Sequence, residues 1–342
     1  MKTPMLRRGL VALLLVALAA PALAATQLTG AGSTFDYPFF SKAFYQYNQQ
    51  HPDITVNYQS IGSGGGIEQF TQKTVDFGAS DVPMNADELK RASGTVIQIP
   101  VALGGEAITY NLPDIASGLH FTRQLIAEIF IGKVTNWIDP SIAKVNPNFK
   151  LPNLPIIVVH RSDGSGTTYI FTDFLSRVSP EWKSKVGTGK SVTWPAASSV
   201  GGKGNEGVAG QVSNSPGAIG YVELAYALQN HMTTGVVQNS AGKYLDCTIA
   251  TVRAAAATKA DVSATDFSIV DRNGADAYPI AGYSWVMVYR QYPDKARAKQ
   301  LHDVLEWLVG AQAQAIAATL DYVPLPDNVQ ATARKALSEM SV

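Results

Sequence analysis

The chain has 342 residues, 46% hydrophobic and 16% charged, with 27 Lys and Arg against 27 Asp and Glu. This length can bury the cores of two domains, and a formal charge of zero excludes nucleic-acid binding through bulk charge. The lone cysteine, Cys247, excludes an intramolecular disulfide and is expected to be buried and structural.

Met1 to Ala24 reads as a secretory signal peptide. Lys2, Arg7 and Arg8 form a basic start and Leu10 to Ala20 an apolar core; Ala22-Leu23-Ala24 gives a small-x-small cleavage pattern, with Ala25 the close alternative. A membrane anchor is the weaker reading, because the run is short, Pro21 interrupts it and no other stretch could span a bilayer. Cysteine is absent near the cleavage site, which excludes a lipoprotein anchor. The three basic residues leave with the signal, so the mature chain carries about −3.

Strands and helices then alternate without internal repeats. Thr29-Gly30-Ala31-Gly32-Ser33-Thr34-Phe35 precedes an amphipathic stretch carrying Phe39, Phe40, Ala43, Phe44 and Tyr47. Strand-like Thr55 to Ile61 leads into Gly62-Ser63-Gly64-Gly65-Gly66, which alone reads as a turn, and then into a short helix over Ile67 to Lys73. Val75-Asp76-Phe77-Gly78-Ala79-Ser80-Asp81 reads as a short strand and turn ending in a carboxylate. The chain crosses toward a second region over Glu106 to Asn111, and a helix follows over Arg123 to Ile131. Pro155 to Val159 reads as a buried strand, and Thr168 to Val178 as a helix with Ile170, Phe171, Phe174, Leu175 and Val178 on one side. A helix over Gly207 to Ser213, a strand over Gly282 to Tyr289 and one long helix over Pro293 to Thr319 complete the reading; the last two return to the first region.

Between that buried strand and its helix lies Arg161-Ser162-Asp163-Gly164-Ser165-Gly166-Thr167. A helix start leaves backbone N–H groups unpaired at the positive end of the helix dipole, which suits a small oxyanion. Arg161 adds a permanent charge in a planar fork that matches two oxygens of one tetrahedral anion. The plainer alternative is a capped helix, with Ser165 as N-cap and Arg161–Asp163 as a surface ion pair. Two other helix starts, after Thr29 to Phe35 and after Gly62 to Gly66, repeat the pattern of small residues and a hydroxyl. Glycine serves where backbone must approach a ligand closely.

Other motifs fail. Gly187-Thr188-Gly189-Lys190-Ser191 lacks the upstream glycine of a P-loop, and Glu181 to Lys185 is no buried strand. Gly202 to Gly207 fits GxGxxG but lacks an apolar strand before it. Asp163 occupies the first glycine position of a nucleophile elbow around Ser165. His51, His120, His160, His231 and His302 show no pair at metal-ligand spacing, and His160 reads as a capped strand-end histidine. The five tryptophans show no repeat and read as core or hinge packing. We therefore assign no catalytic residue, metal site or cofactor.

Taken in order, the segments ending at Phe35, Gly65, Asp81 and Thr167 resemble the periplasmic phosphate-binding protein of the high-affinity phosphate ABC importer (PstS type). Gly201 to Gly207, Pro216-Gly217-Ala218-Ile219-Gly220-Tyr221-Val222-Glu223 and Leu320-Asp321-Tyr322-Val323-Pro324-Leu325-Pro326 agree, so the resemblance covers nearly all of the mature chain. It implies an α/β, two-lobed periplasmic-binding-protein fold of type II, with a cleft between lobes joined by two crossover strands. The implied division is signal peptide 1–24, lobe 1 over 25–110, lobe 2 over 111–280 and a return to lobe 1 over 281–342. It implies phosphate contacts from the N–H groups of Thr34 and Phe35, the Thr34 hydroxyl, Ser63, the Asp81 carboxylate and the Arg161 guanidinium. Ser165 would give hydroxyl and N–H, Gly166 its N–H and Thr167 both, while Asp163 would orient Arg161. Asp36 departs from the family, which often has a proline there; an acid in a first helical turn suits the dipole but competes weakly with an anion.

A carboxylate facing an anion makes sense only if the ligand carries a proton that Asp81 can accept. Phosphate is protonated at neutral pH and sulfate is not, so the site should reject sulfate and exclude arsenate poorly. The function implied is a non-enzymatic receptor, monomeric, that delivers phosphate to a membrane ABC permease with its ATPase subunits. The alternatives are a secreted phosphatase or phosphoryl-transfer enzyme using Ser165 or Asp81, and a surface phosphate scavenger without a permease.

Overall fold

A computed structural model describes residues 25–342; the expected signal peptide, Met1–Ala24, lies outside the described residues. The strands are β1 (Thr26–Gly32), β2 (Ile54–Ser60), β3 (Phe77–Ser80), β4 (Val96–Tyr110), β5 (His120–Phe121), β6 (Ile157–Arg161), β7 (Ser199–Gly202), β8 (Ala218–Glu223), β9 (Thr233–Thr234), β10 (Val236–Gln238), β11 (Tyr244–Leu245) and β12 (Ala281–Tyr289). Between the first strands run α1 (Tyr37–Gln50), α2 (Ser63–Thr71) and α3 (Ala86–Arg91); α4 (Arg123–Phe130) and α5 (Pro140–Val145) follow β5. Then come α6 (Gly166–Val178), α7 (Pro180–Lys185), α8 (Gly204–Asn214), α9 (Leu224–Gln229) and α10 (Ile249–Ala257). Finally α11 (Lys295–Leu308), α12 (Ala311–Ala318) and α13 (Asp327–Leu337) close the chain.

The main sheet runs β2-β1-β3-β12-β4-β8-β6-β7, with β9 also on β4. Its flanks are parallel pairs, β1 with β2 and β3, and β6 with β7 and β8; β12 and β4 are antiparallel to their neighbours. The two halves of β4 have different partners. Val96 to Gly105 pairs with β12, and Glu106 to Tyr110 pairs with β8. One long buried strand therefore joins two half-sheets, each covered by its own helices. Leu28, Phe39, Phe40, Phe77, Val286 and Leu305 pack in one core; Ile126, Trp137, Phe171, Trp182, Ile219 and Tyr221 pack in the other. A bulge interrupts the β4–β12 register: Pro100 has no N–H to give, Val101 is the extra residue, and Ser284 faces Ala102.

Local rules explain most element boundaries. The Ser165 hydroxyl accepts from Thr168 N–H at 3.0 Å and starts α6 at Gly166, two residues before the expected Thr168; the capped helix of the plainer alternative is present. Asn85 and Glu88 form a capping box on α3.

Several expectations needed correction. The glycine cluster is helix rather than turn, since α2 begins at Ser63. A Cβ on Gly66 would lie 2.3 Å from Gly32 Cα, so its glycine lets α2 lie directly on β1. The strand expected over Pro155 to Val159 runs over Ile157–Arg161; Pro155 cannot donate and makes only an isolated bridge to Asn136. The single long helix expected over Pro293 to Thr319 is broken at Val309 and Gly310. Glycine in a helix interior costs about 1 kcal/mol. At the break, Gln314 Nε2 donates to the Leu308 carbonyl at 3.0 Å, a group that the missing turn leaves open, and to the carbonyl of the bulged Val101 in β4 at 3.2 Å. The GxGxxG run follows β7, whose residues before Gly202 are exposed or half-buried, so the strand before it is not the apolar one a dinucleotide motif needs, as expected.

Candidate functional site

The starts of α1, α2 and α6 converge where the half-sheets meet. Residues 33 to 35 approach α1 with all three carbonyls held away by tyrosines. Tyr58 donates to the Ser33 carbonyl at 2.8 Å, Tyr226 to that of Thr34 at 2.6 Å and Tyr322 to that of Phe35 at 2.5 Å. In a trans peptide the N–H points opposite to its carbonyl. These bonds therefore turn the N–H groups of Thr34, Phe35 and Asp36 to the other side, where Asp36 N–H meets Ser33 Oγ at 3.3 Å. Asp36 N–H is thereby taken by Ser33, and Thr34 and Phe35 N–H are oriented before any ligand arrives, which avoids an ordering cost at binding.

Arg161 lies at the end of β6 and is only 4% exposed. Its Nε and Nη2 donate to Asp163 Oδ1 and Oδ2 at 2.8 and 2.6 Å, and Nη1 donates to Thr167 Oγ1 at 3.3 Å. The alternative of a surface pair is therefore wrong, because the guanidinium is buried and its Nη1 reaches Thr167 in the first turn of α6. Burial opposes the Arg161 charge, but Asp163 outweighs it and holds the guanidinium above its ordinary pKa. Burial likewise opposes the Asp163 charge, yet Arg161 and Gly204 N–H hold that carboxyl below the usual range.

Asp81 follows β3 and is 2% exposed. Its Oδ1 accepts from Ser33 Oγ and, at 2.8 Å, from Ser284 Oγ. Burial raises its pKa, while Ser33, Ser284, Arg161 and Thr167 N–H pull it back. Ser63 Oγ sits between the halves, accepting from Gly166 N–H at 3.0 Å and Asp81 N–H at 3.3 Å. Gly64 N–H donates to the Gly164 carbonyl at 2.8 Å. The α2 and α6 starts are thus in direct contact.

All eight residues singled out as ligands, Thr34, Phe35, Ser63, Asp81, Arg161, Ser165, Gly166 and Thr167, are buried in this one region, with Asp163 behind Arg161. One detail differs. Ser165 N–H, expected to face an anion, donates to the Lys190 carbonyl at 2.8 Å, so only its hydroxyl is available. Asp36 does not act as a dipole-facing acid in the first turn. It is the N-cap residue, makes no side-chain cap bond, and turns into the core against Ser284 at 2.5 Å.

Sequence reasoning missed Asn205, Ser33, Ser284 and the three tyrosines. Asn205 Nδ2 donates to Thr34 Oγ1 at 2.8 Å and reaches Thr167 Oγ1 at 3.4 Å, tying together two hydroxyls of the candidate site. Its signal is the Gly201 to Gly207 run, which supports the family resemblance without marking Asn205 as a site residue. His160 Nδ1 lies 3.0 Å from the Arg161 carbonyl and the ring stacks on Trp194; burial lowers its pKa. Among the described residues no group of three His, Cys, Asp or Glu is placed to hold a metal. The Cys247 thiol packs beside Gly105, and burial pushes its pKa up although the residue is half-exposed.

Comparison with known proteins agrees with this architecture. The profile of the PBP superfamily domain matches residues 19–312. The chain is 46% identical to the phosphate-binding protein PstS of Xylella fastidiosa (strain Temecula1 / ATCC 700964), covering 89% of this chain and 82% of that protein. It is 43% identical to the PstS of Pasteurella multocida (strain Pm70), covering 95% and 94%. Among solved structures, the phosphate-binding protein of Stenotrophomonas maltophilia superposes with a TM-score of 0.73 at 20% identity, covering 91% of this chain and 93% of that one, a likeness of fold. On these matches the chain has the two-lobed periplasmic-binding-protein fold and belongs to the PstS family of phosphate-binding proteins.

Proposed function

We propose that the chain is a periplasmic receptor that binds inorganic phosphate in this site and delivers it to a membrane ABC permease with its ATPase subunits. It works by binding and release, without catalysis. The observation that carries the reading is Asp81, an acceptor-only carboxylate in a site otherwise built of donors. Such a set is complementary to an anion that still holds a proton.

In this reading the N–H groups of Thr34 and Phe35, the hydroxyls of Thr34, Ser63, Ser165 and Thr167, and the N–H groups of Gly166 and Thr167, which turn to the anion from Ser63 Oγ and Asp81, surround the phosphate oxygens. Arg161 supplies the charge and Asp81 accepts the phosphate hydroxyl. Asp163 holds the guanidinium in register. The low exposure of Arg161 and Asp81 favours a ligand that enters an open form and is enclosed as the lobes close. We assign 25–110 and 281–342 to one lobe and 111–280 to the other; the change of partner at Gly105 and Glu106 in β4 supports a crossing there. The receptor is a monomer, exported with cleavage near Ala24.

The enzyme alternative has no support at Ser165, whose hydroxyl accepts from Thr168 N–H and has no hydrogen bond to a histidine among the described residues; His160 Nδ1 meets the Arg161 carbonyl instead. Calorimetric titration of phosphate-stripped mature protein tests the receptor reading. Tight one-to-one phosphate binding, weaker arsenate and no sulfate heat are expected. Sulfate binding as tight as phosphate would overturn it.

A further inference from the structure

We propose that Asp36 is a positioning residue that sets specificity: it holds a proton and, through Ser284, keeps Asp81 an anionic acceptor for the hydroxyl of a protonated oxyanion. The identity of that oxyanion rests on the phosphate reading above; the place of the proton rests on geometry alone.

Ser284 Oγ lies 2.5 Å from Asp36 Oδ2 and 2.8 Å from Asp81 Oδ1. A hydroxyl has one proton and can give it to only one of these oxygens. The other contact needs a proton from the carboxyl itself, or two sets of lone pairs face each other. The surroundings decide which carboxyl carries it. Asp81 receives Ser33, Ser284 and Thr167 N–H and lies near the Arg161 charge. Asp36 Oδ1 has no partner among the described residues, and the side chain is 0% exposed. A carboxylate with an orphaned buried oxygen is costly, and the neutral acid is the cheaper form.

The resulting chain runs from the Asp36 hydroxyl to Ser284 Oγ, and from the Ser284 hydroxyl to Asp81 Oδ1. The bulge at Val101 places Ser284 at this point of β12. The ionisable groups facing Asp36 are Asp81 after β3, Glu223 at the end of β8, Tyr58 on β2 and Tyr322 after α12. None is a cation. Burial and then the Asp81 charge push the Asp36 pKa well above its ordinary value. Asp36 is therefore neutral below that raised pKa. Above it, a second negative charge stands beside Asp81, Ser284 can turn its proton away, and the anion is repelled.

The test compares wild-type protein with Asp36→Asn and Asp36→Ser, titrated with inorganic phosphate from mildly acidic to strongly alkaline pH. The ionisation of phosphate cancels in the ratio of dissociation constants. The ratio of wild type to Asn variant should rise on the order of tenfold toward alkaline pH; a ratio that stays flat overturns the proposal. Infrared difference spectra at neutral pH give a readout independent of ligand. A protonated-carboxyl C=O band present in wild type should vanish in either variant, while bands from Glu106 and Glu223 cancel. If no band is lost the proposal fails. If phosphate does not bind at all, the ligand reading fails, and the infrared difference still decides Asp36.

Discussion

Arg161 and Asp81 divide the work of the site, and single substitutions separate their roles. Arg161→Ala removes the buried guanidinium beside the start of α6 and leaves Asp163 without its partner. Loss of one member of a buried, hydrogen-bonded charge pair costs about 2–5 kcal/mol. Calorimetry should show phosphate affinity falling by that amount; an unchanged dissociation constant would refute the assignment. Asp81→Asn replaces an acceptor-only group by one that also donates. It should narrow the gap between phosphate and sulfate, because sulfate no longer meets an unpaired carboxylate. A site that prefers a ligand hydroxyl can discriminate by about 10⁴–10⁵ against an analogue lacking it, so the change should be large. Competition with sulfate measures it, and continued exclusion of sulfate by the variant would show that selectivity lies elsewhere.

At the level of elements, the contact between helix starts depends on side chains that are absent. A Cβ on Gly166 would lie 2.5 Å from both Asp81 Cβ and Oδ2, and one on Gly62 would lie 2.1 Å from Asp163 Oδ2. Gly62 also has φ +86, which side-chain-bearing residues rarely adopt. Gly166→Ala should therefore wedge α6 away from the β3 turn and disfavour the closed form. Because affinity falls with the fraction of the competent conformation, phosphate binding should weaken by about tenfold or more. The melting temperature of the ligand-free variant should barely move, since helices tolerate alanine well. Equal loss of stability and affinity would mean that the clash disrupts a lobe rather than closure. Close packing also explains why the glycine cluster is helix rather than turn: glycine has poor helix propensity, but Gly66 lies against Gly32 and Ala31 of β1 and Gly64 against Gly164, where a side chain would not fit easily.

For the whole molecule, the acids enclosed around the crossing of β4 shape the dependence of stability on pH. Burial pushes Asp36, Glu106 and Glu223 well above the usual carboxyl range, with neighbouring carboxylates adding to it. Each group binds more protons folded than unfolded between its two pKa values, so stability falls as pH rises from the ordinary carboxylate range to the raised folded values. Asp163 acts in the opposite sense: its contribution is present above the unfolded pKa and lost as pH falls through the depressed folded one. Thermal melts of ligand-free protein should show a maximum on the acid side of neutrality and a decline toward alkaline pH. Glu106→Gln should flatten that decline, because both Glu106 carboxyl oxygens lack partners among the described residues. A slope unchanged by that substitution would show that Glu106 does not contribute.

What sequence alone determined about this protein is local and ordered. The Ser165 cap, the Arg161–Asp163 pair and the small-residue helix starts are encoded within a few positions, because capping and chelate geometry act over one turn. Their order along the chain pointed to the PstS family. Only tertiary structure decided which groups stand opposite one another. The three tyrosines reach residues 33 to 35 from positions 25 to 287 residues away, and Ser284 joins Asp36 to Asp81 over more than 200. Such contacts leave no periodic trace, since a hydroxyl on a buried strand looks the same whether or not it meets a carboxylate. Burial made the same decision for Asp36: sequence could only place an acid near a helix start, and the sheet bulge and the missing cation turned it into a buried partner of Asp81.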